Sequence, residues 1–406
     1  MTKKDIPVII PYTDHRETEE ISKVVASGWV AQGPKVAEFE KAVAVHEGIA
    51  HGIATTSCTT ALHLLLHTLG IKEKQDVLVP SFTFVASANS IAHTGATPCF
   101  VDILPETFCI DPQSVIRCIN DNYDVTDNKL INKDNGNILT AIMVVHQFGL
   151  CADMSALSAI ALKHGLKIIE DSACALGAKI NEKHQGTFGY PSCLSFHPRK
   201  SITTGEGGMI LTDDGSLAES LRSLRSHGAS ASEIARHNNH GFLLPSFDSI
   251  GYNYRMTDIQ AAMGIAQMEK LDFIIDTRRK KAKRYNELLT DVEWLTTPSQ
   301  PNGYFHTYQS YVCLLKFEGL STHEGGLKRD TLLAKLAEKG IATRQGTHAS
   351  HTLECYQKLY GIDAEKIPNS FYCDKLSVTL PLYVQMTDSE QDYVIEQIKE
   401  VYECLK

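Results

Sequence analysis

From about Ile53 to Leu211, short apolar runs alternate with amphipathic stretches. Val77-Leu78-Val79-Pro80, Cys99-Phe100-Val101-Asp102, Ile138 to Val145 and Lys167-Ile168-Ile169-Glu170 read as strands, and Met154 to His164 as a helix between two of them. Cys193-Leu194-Ser195-Phe196 and Met209-Ile210-Leu211 read as two more apolar strands. This alternation predicts an α/β fold, a mostly parallel sheet flanked by helices on both faces. Ahead of it, Asp14 with Glu17 makes a capping box for a helix that stops at Gly28, and Gly33-Pro34 opens a second one. Helical periodicity returns from Thr257 to Leu289, as two helices or one bent one. After Pro298 the pattern changes: a strand over Ser310 to Leu315, a helix near Asp330 to Lys339, a strand entering Thr343, and a last helix over Asp388 to Leu405. The division expected is a large domain over residues 1–270 and a smaller C-terminal α+β domain over residues 271–406. The polar, Asn- and Asp-rich stretch Tyr123 to Asn137 reads as a surface loop.

The 406 residues suffice for two or three domains, one with a sizeable core. A net charge of −9 argues against broad binding to nucleic acid or anionic membrane, though not against a small phosphorylated ligand met by local donors. No apolar run is long enough to span a bilayer, and the start, Met1-Thr2-Lys3-Lys4-Asp5-Ile6, shows no leader pattern. The 11 cysteines include no Cys-x-x-Cys pair. They read as buried reduced thiols of a cytoplasmic protein, not as a disulfide frame or a zinc site, and no metal is expected.

Three places carry candidate chemistry. Lys200 lies between two apolar strands, just ahead of the turn Gly205 to Gly208. Desolvation there favours a neutral amine able to attack a carbonyl; the plainer reading is a strand-end lysine reaching to water. Asp171 ends the strand Lys167-Ile168-Ile169, where open α/β sheets bind ligands, although such an aspartate also serves as a helix cap. Thr56-Ser57-Cys58-Thr59-Thr60-Ala61-Leu62 runs from a strand into a helix, which makes either an anion seat or an ordinary cap. There is no Walker lysine and no Gly-x-Gly-x-x-Gly in a leading strand–helix unit. A lysine with a buried carboxylate and a phosphate seat is what pyridoxal phosphate (PLP) requires.

Longer motifs make this specific. Gly28-Trp29-Val30-Ala31-Gln32-Gly33-Pro34, Ser57 to Leu62, Pro80-Ser81-Phe82-Thr83-Phe84-Val85-Ala86, Glu170-Asp171-Ser172-Ala173, the run from Ser195 to Gly208, and Gly251-Tyr252-Asn253-Tyr254-Arg255-Met256-Thr257-Asp258 follow one another in order, with Ala342 to His348 further on. Across nearly its whole length the chain resembles the DegT/DnrJ/EryC1/StrS sugar aminotransferases, which share the aspartate-aminotransferase-like fold type I. The resemblance implies that Lys200 carries the cofactor as a Schiff base and that Asp171 pairs with its ring nitrogen. It implies that Ser195, Cys58 and Thr59 bind the cofactor phosphate and that Phe84 stacks on the ring. Asn253 would reach the phosphate of a neighbouring subunit, hence a homodimer with shared active sites. Many relatives have Gln or His three residues after the aspartate; Cys174 stands there instead, a poor hydrogen-bond former.

The expected reaction moves an amino group from glutamate to the keto sugar of a nucleoside diphosphate, at C4 of a 4-keto-6-deoxy sugar, with C3 as the variant. Arg344 and His348 are candidate contacts to the sugar nucleotide, and Trp29 a candidate wall of its pocket. Dehydratase relatives carry histidine in place of the lysine, so Lys200 argues against that branch. The competing reading is a non-catalytic regulator on the same fold; the trio of Asp171, Ser195 and Lys200 argues against it.

Overall fold

A computed structural model describes residues 5–230, 246–363 and 366–405. Met1–Lys4, on which part of the leader reading falls, lie outside it. Among the described residues the central sheet has nine strands: β1 (His51–Thr55), β2 (Gln75–Pro80), β4 (Thr97–Val101), β5 (Tyr123–Thr126), β6 (Lys129–Asn132), β7 (Ile138–Val145), β8 (Lys167–Asp171), β11 (Ser192–Ser195) and β12 (Gly208–Thr212). Across the main path the order is β1-β12-β11-β8-β7-β2-β4. From β11 to β4 every pairing is parallel, whereas β12 is antiparallel to both β11 and β1. The reversal has a local cause. The connection from Phe196 to Gly207 contains no crossover helix, so β12 returns alongside β11 and leaves Lys200 in the bend between them.

Helices cover both faces. One core under the sheet includes Ile53, Leu62, Leu65, Val79, Met143, Ile169 and Ile210, and another includes Leu78, Ile142, Val144, Leu157 and Ile168. Alternate residues of β7 and β8 thus enter opposite cores, which is why Ala141 to Val145 and Ile168-Ile169 are continuously apolar. The sequence signals at the helix ends hold. Helix α1 (His15–Ser27) has the Asp14/Glu17 capping box and ends on Gly28 in the left-handed region, and α2 (Pro34–Glu47) starts on its proline. The stretch from Thr257 to Leu289 is two helices, Asp258–Met268 and Leu271–Leu288. The second spans two cores. Leu271, Ile274 and Ile275 pack with Phe39 and Phe196, while Ala282 and Tyr285 pack with Tyr311, Leu336, Val394 and the N-terminal Ile6.

Four expectations need correction. The stretch Tyr123 to Asn137 is no plain loop: β5 and β6 form a hairpin, and β6 pairs with the start of β7. Its two-residue turn, Asp127-Asn128, has φ of 49° and 58°, the geometry that suits the twist of a hairpin. The buried Asp76 anchors it, accepting from Tyr123 Oη, Asn132 Nδ2 and Asn137 Nδ2, each at 2.8 Å. The helix expected from Asp330 begins eight residues earlier, at Thr322, on a Ser321/Glu324 capping box. Gly325 and Gly326 suggest a break, yet they admit the neighbouring Pro368–Leu376 helix: a Cβ on Gly325 would stand 2.8 Å from Leu376 Cδ2. No strand enters Thr343; Ile341 bridges to Ile6 and Arg344 to Thr379, so the segment is shared between two elements. Finally, all 11 cysteines are free, but Cys355 and Cys404 are exposed. Among the described residues, no helix is long and apolar enough to cross a membrane.

Candidate active site

The carboxyl ends of β7, β8 and β11 open onto a cavity of about 660 Å³. Val145, Asp171 and Ser195 end those strands and line it. The strand direction therefore delivers these groups to one crevice, as open α/β sheets do. A second wall is the start of helix α3 (Cys58–Thr68), through Ser57, Cys58 and Thr59. A third comes from Gln309 and from Arg344 to His348. That last segment is held by a small pairing: β16 (His348–Ala349) runs antiparallel to β3 (Phe82–Thr83), and Asp374 Oδ1 accepts from Ala349 N and Gln345 Nε2.

Asp171 is buried, with only 4% of its surface exposed. Its Oδ2 accepts from Ser87 Oγ at 2.7 Å and its Oδ1 from Ala173 N at 3.1 Å. Burial pushes its pKa above the usual carboxylate range; the Ser87 and Ala173 hydrogen bonds and the Lys200 charge pull the other way without cancelling it. Such a carboxyl lacks a full cationic partner and is suited to a protonated ring nitrogen. Its neighbour Glu170 points to the opposite face of β8. There His146 Nδ1 accepts from Ala152 N at 3.0 Å, so its Nε2–H is the donor to Glu170 Oε2 at 2.7 Å. This buried pair supports β7 and β8 from behind the cavity.

Lys200 is half-buried and lines the cavity. Its Nζ lies 3.2 Å from Cys174 Sγ. At the α3 start, Ser57 Oγ accepts from Thr60 N at 3.2 Å. The N–H groups of Cys58 and Thr59 belong to the first-turn donors that a helix cannot satisfy internally. Gly208 allows the sheet to approach this turn, since a Cβ there would stand 2.4 Å from the Ser57 carbonyl carbon. Phe84, 58% exposed, stands at the mouth.

The cavity thus gathers Cys58, Thr59, Phe84, Asp171, Cys174, Ser195, Lys200, Arg344 and His348. It does not gather Asn253 or Trp29. Asn253 is exposed and bridges to Ser226. Trp29 donates its Nε1–H to Gln32 O and packs over Gly33. Its motif is tied instead to the Gly251–Asp258 motif: the Asp258 carboxylate accepts from Gly33 N, Lys35 N and Val36 N, capping α2 from a distance. Ser87, Arg199, Gln147 and Gln309 were not legible as site residues. Ser87 lies one position beyond the Pro80–Ala86 motif, and Arg199 directly precedes the lysine, so adjacency was the only signal.

The residues present fit pyridoxal phosphate: a buried carboxyl raised by desolvation, a lysine amine in the same cavity, and a helix start approached closely by glycine. Fold and site together define a class, the fold-type-I enzymes that use this cofactor. Comparison with known proteins narrows it. The model of the DegT/DnrJ/EryC1/StrS aminotransferase family matches residues 11–399, and the chain belongs to that family of PLP-dependent sugar aminotransferases. It is 35% identical to GDP-perosamine synthase of Caulobacter vibrioides, over 98% of both chains. It is 33% identical to the spore coat polysaccharide biosynthesis protein SpsC of Bacillus subtilis, over 98% of this chain and 97% of that one. Among solved structures, Spr1654 of Streptococcus pneumoniae in its PMP form is 25% identical with a TM-score of 0.88, covering 99% of this chain and 100% of the other.

Proposed function

We propose that the protein transfers an amino group from glutamate to the keto sugar of a nucleoside diphosphate, at C4 of a 4-keto-6-deoxy sugar. The observation that carries this reading is the convergence of Lys200 and Asp171 on one cavity whose far wall supplies Arg344. The GDP-perosamine synthase relatives support a nucleotide-linked acceptor and, perosamine being a 4-amino sugar, amination at C4.

Bound pyridoxal phosphate supplies an electron-accepting ring that stabilises negative charge at a carbon losing its proton. The chain's residues do the rest. Asp171, fixed by Ser87, keeps a proton on the ring nitrogen. Cys58 and Thr59 at the α3 start would hold the phosphate together with Ser195, and Phe84 would pack on the ring. Lys200 Nζ takes the proton from the donor carbon and later returns one to the sugar carbon that gains nitrogen. Residues 1–270 form the cofactor-binding body, and residues 271–406 bring Gln309 and the Arg344–His348 segment over it. A second copy of the chain completes the site, the exposed Asn253 of each reaching the other's phosphate seat.

Arg344 is assigned to the sugar nucleotide. Its Nε is buried with no hydrogen-bond partner, its Nη2 meets Ser310 Oγ only at 3.4 Å, and burial with the nearby Arg199 charge lowers its pKa. An anion would relieve all three conditions. Arg344→Gln is expected to raise KM for the sugar nucleotide roughly 10- to 100-fold, as losing a charge-assisted hydrogen bond of about 1.5–3 kcal/mol implies, with a smaller change in kcat. Steady-state kinetics check this; an unchanged KM for both substrates removes Arg344 from the assignment.

The reading as a whole is tested with glutamate and a panel of keto-sugar nucleotides, following product mass and NMR. The expected product is a C4-amino sugar nucleotide. Amination at C3 would correct the position, and glutamate turnover without amination of any sugar nucleotide would overturn the acceptor.

A further inference from the structure

Outside the cavity, the end of α2 meets a small hairpin, β9 (Lys179–Ile180) and β10 (Lys183–His184). His46, Glu47 and His184 come together there, each offering a ligand atom within 4.8 Å of the others. None of the three lines the cavity described above. Glu47 is fully buried. Its Oε1 accepts from Gly177 N at 3.1 Å and its Oε2 from Gln185 Nε2 at 2.7 Å, so its carboxylate is locked facing the two imidazoles. His46 Nδ1 stands 2.7 Å from Oε1, and His184 Nδ1 3.4 Å from Oε2. The His184 Nδ1 is buried and makes no hydrogen bond.

The other nitrogen of His46 decides the chemistry. Its Nε2 lies 3.2 Å from Asp272 Oδ1, at the start of the Leu271–Leu288 helix. With Nε2–H donated to Asp272, the neutral ring presents a lone pair at Nδ1 to a carboxylate oxygen. Two acceptors at 2.7 Å need a cation between them. One candidate is a proton. Burial opposes charge on His46, yet Glu47 and Asp272 raise its pKa above the usual histidine value. The other candidate is a divalent metal, and the surroundings suit it. A carboxylate behind a ligating imidazole is a common outer-shell support, and two imidazoles with one carboxylate leave a fourth position for water. Zinc bonds of about 2.0–2.2 Å put tetrahedral ligand atoms roughly 3.3–3.6 Å apart. The His184–Glu47 spacing already matches this, and the His46–Glu47 spacing has to widen by less than about an ångström.

We propose that His46, Glu47 and His184 form a zinc-class divalent metal site, with Asp272 orienting His46 and a water as fourth ligand. The metal would tie the end of α2, the β9–β10 hairpin and the Leu271–Leu288 helix together. No run of sequence announces the site, because only the fold unites residues 46–47, 184 and 272.

The test uses full-length, PLP-loaded protein dialysed against micromolar zinc sulfate, with bound zinc measured by mass spectrometry and stability by thermal melting. About one zinc per chain and a raised Tm are expected. His184→Gln should lose that zinc and the Tm response. Asp272→Asn, at an exposed position that leaves the fold intact, should weaken binding about 10- to 100-fold. Wild-type protein that retains no zinc and shows no Tm change would overturn the proposal and leave a proton as the bridging cation. Zinc held by His184→Gln with wild-type affinity would overturn this placement of the ligands.

Discussion

Lys200→Ala is expected to abolish transamination, lowering kcat by at least about 10³–10⁴-fold. The magnitude follows from the two jobs given to one nitrogen: a positioned general acid–base group contributes roughly 10²–10⁴-fold, and the covalent linkage to the cofactor is lost as well. The fold should not pay for the change. Lys200 is half-buried, its amine touches Cys174 Sγ, and the bond that shapes the bend, Lys200 N to His197 O at 2.8 Å, belongs to the backbone. Tm should therefore stay near the wild-type value, and noncovalent cofactor binding should persist through the α3 seat. Two observations isolate the chemistry. Borohydride should fix the cofactor to the Lys200 peptide of the wild type and leave the variant unlabelled. A small primary amine added to the variant should restore part of the rate, because the deletion opens room beside Cys174. A variant that turns over without added amine, or a wild-type Lys200 peptide that carries no label, would remove the lysine from the mechanism and the proposed reaction with it.

The fold was legible wherever a local rule and the burial pattern agreed. Strand β7 and helix α6 (Met154–His164) carry their bounds in the sequence: β7 runs from the end of the polar stretch at Asn137 to His146, and Asp153 and Gly165 cap α6. The end of α1 was legible because Gly28 adopts a φ of 75°, which costs a side chain energy and glycine none. Failures fell where two local signals conflicted. Between residues 123 and 137 the density of Asn and Asp pointed to a loop, but Asp127-Asn128 is also a two-residue turn, and the side chains that settle the matter bond to Asp76, some fifty residues away in sequence. At Gly325-Gly326, helix-breaking residues sit in a helix because another helix packs against them. The site shows the same division. Lys200 and Asp171 carried a local signature of strand, turn and charge. Ser87 did not: a serine in the first turn of a helix is unremarkable until β2 and β8 bring it within 2.7 Å of the aspartate. Asn253 gives no signal within one chain, since its proposed role belongs to a neighbouring copy.

Asp171→Asn should leave an enzyme that binds the cofactor and works poorly. The amide has the shape of the carboxylate: Oδ1 can still accept from Ala173 N, and the Ser87 hydroxyl can turn to accept from the new amide N–H. What disappears is the negative charge. An opposite charge at close range favours an ionised group by about 1–3 pKa units, so the fraction of cofactor with a protonated ring nitrogen should fall roughly 10- to 10³-fold. Because the same ring serves both halves of the reaction, kcat for glutamate and kcat for the keto sugar should fall together, with little change in either KM. The sign of the pH response separates this from a structural defect. In the variant only solvent can protonate the ring nitrogen, so the rate should recover in part as pH is lowered. Ser87→Ala provides the control. It removes one hydrogen bond and keeps the charge; the freed carboxylate should become harder to ionise, since that bond now lowers its pKa against the pull of burial. A loss well below that of Asp171→Asn is expected. Near-wild-type turnover by Asp171→Asn, at one cofactor per chain, would show that the buried acid is an architectural residue of β8 and that the electron sink is tuned by some other group.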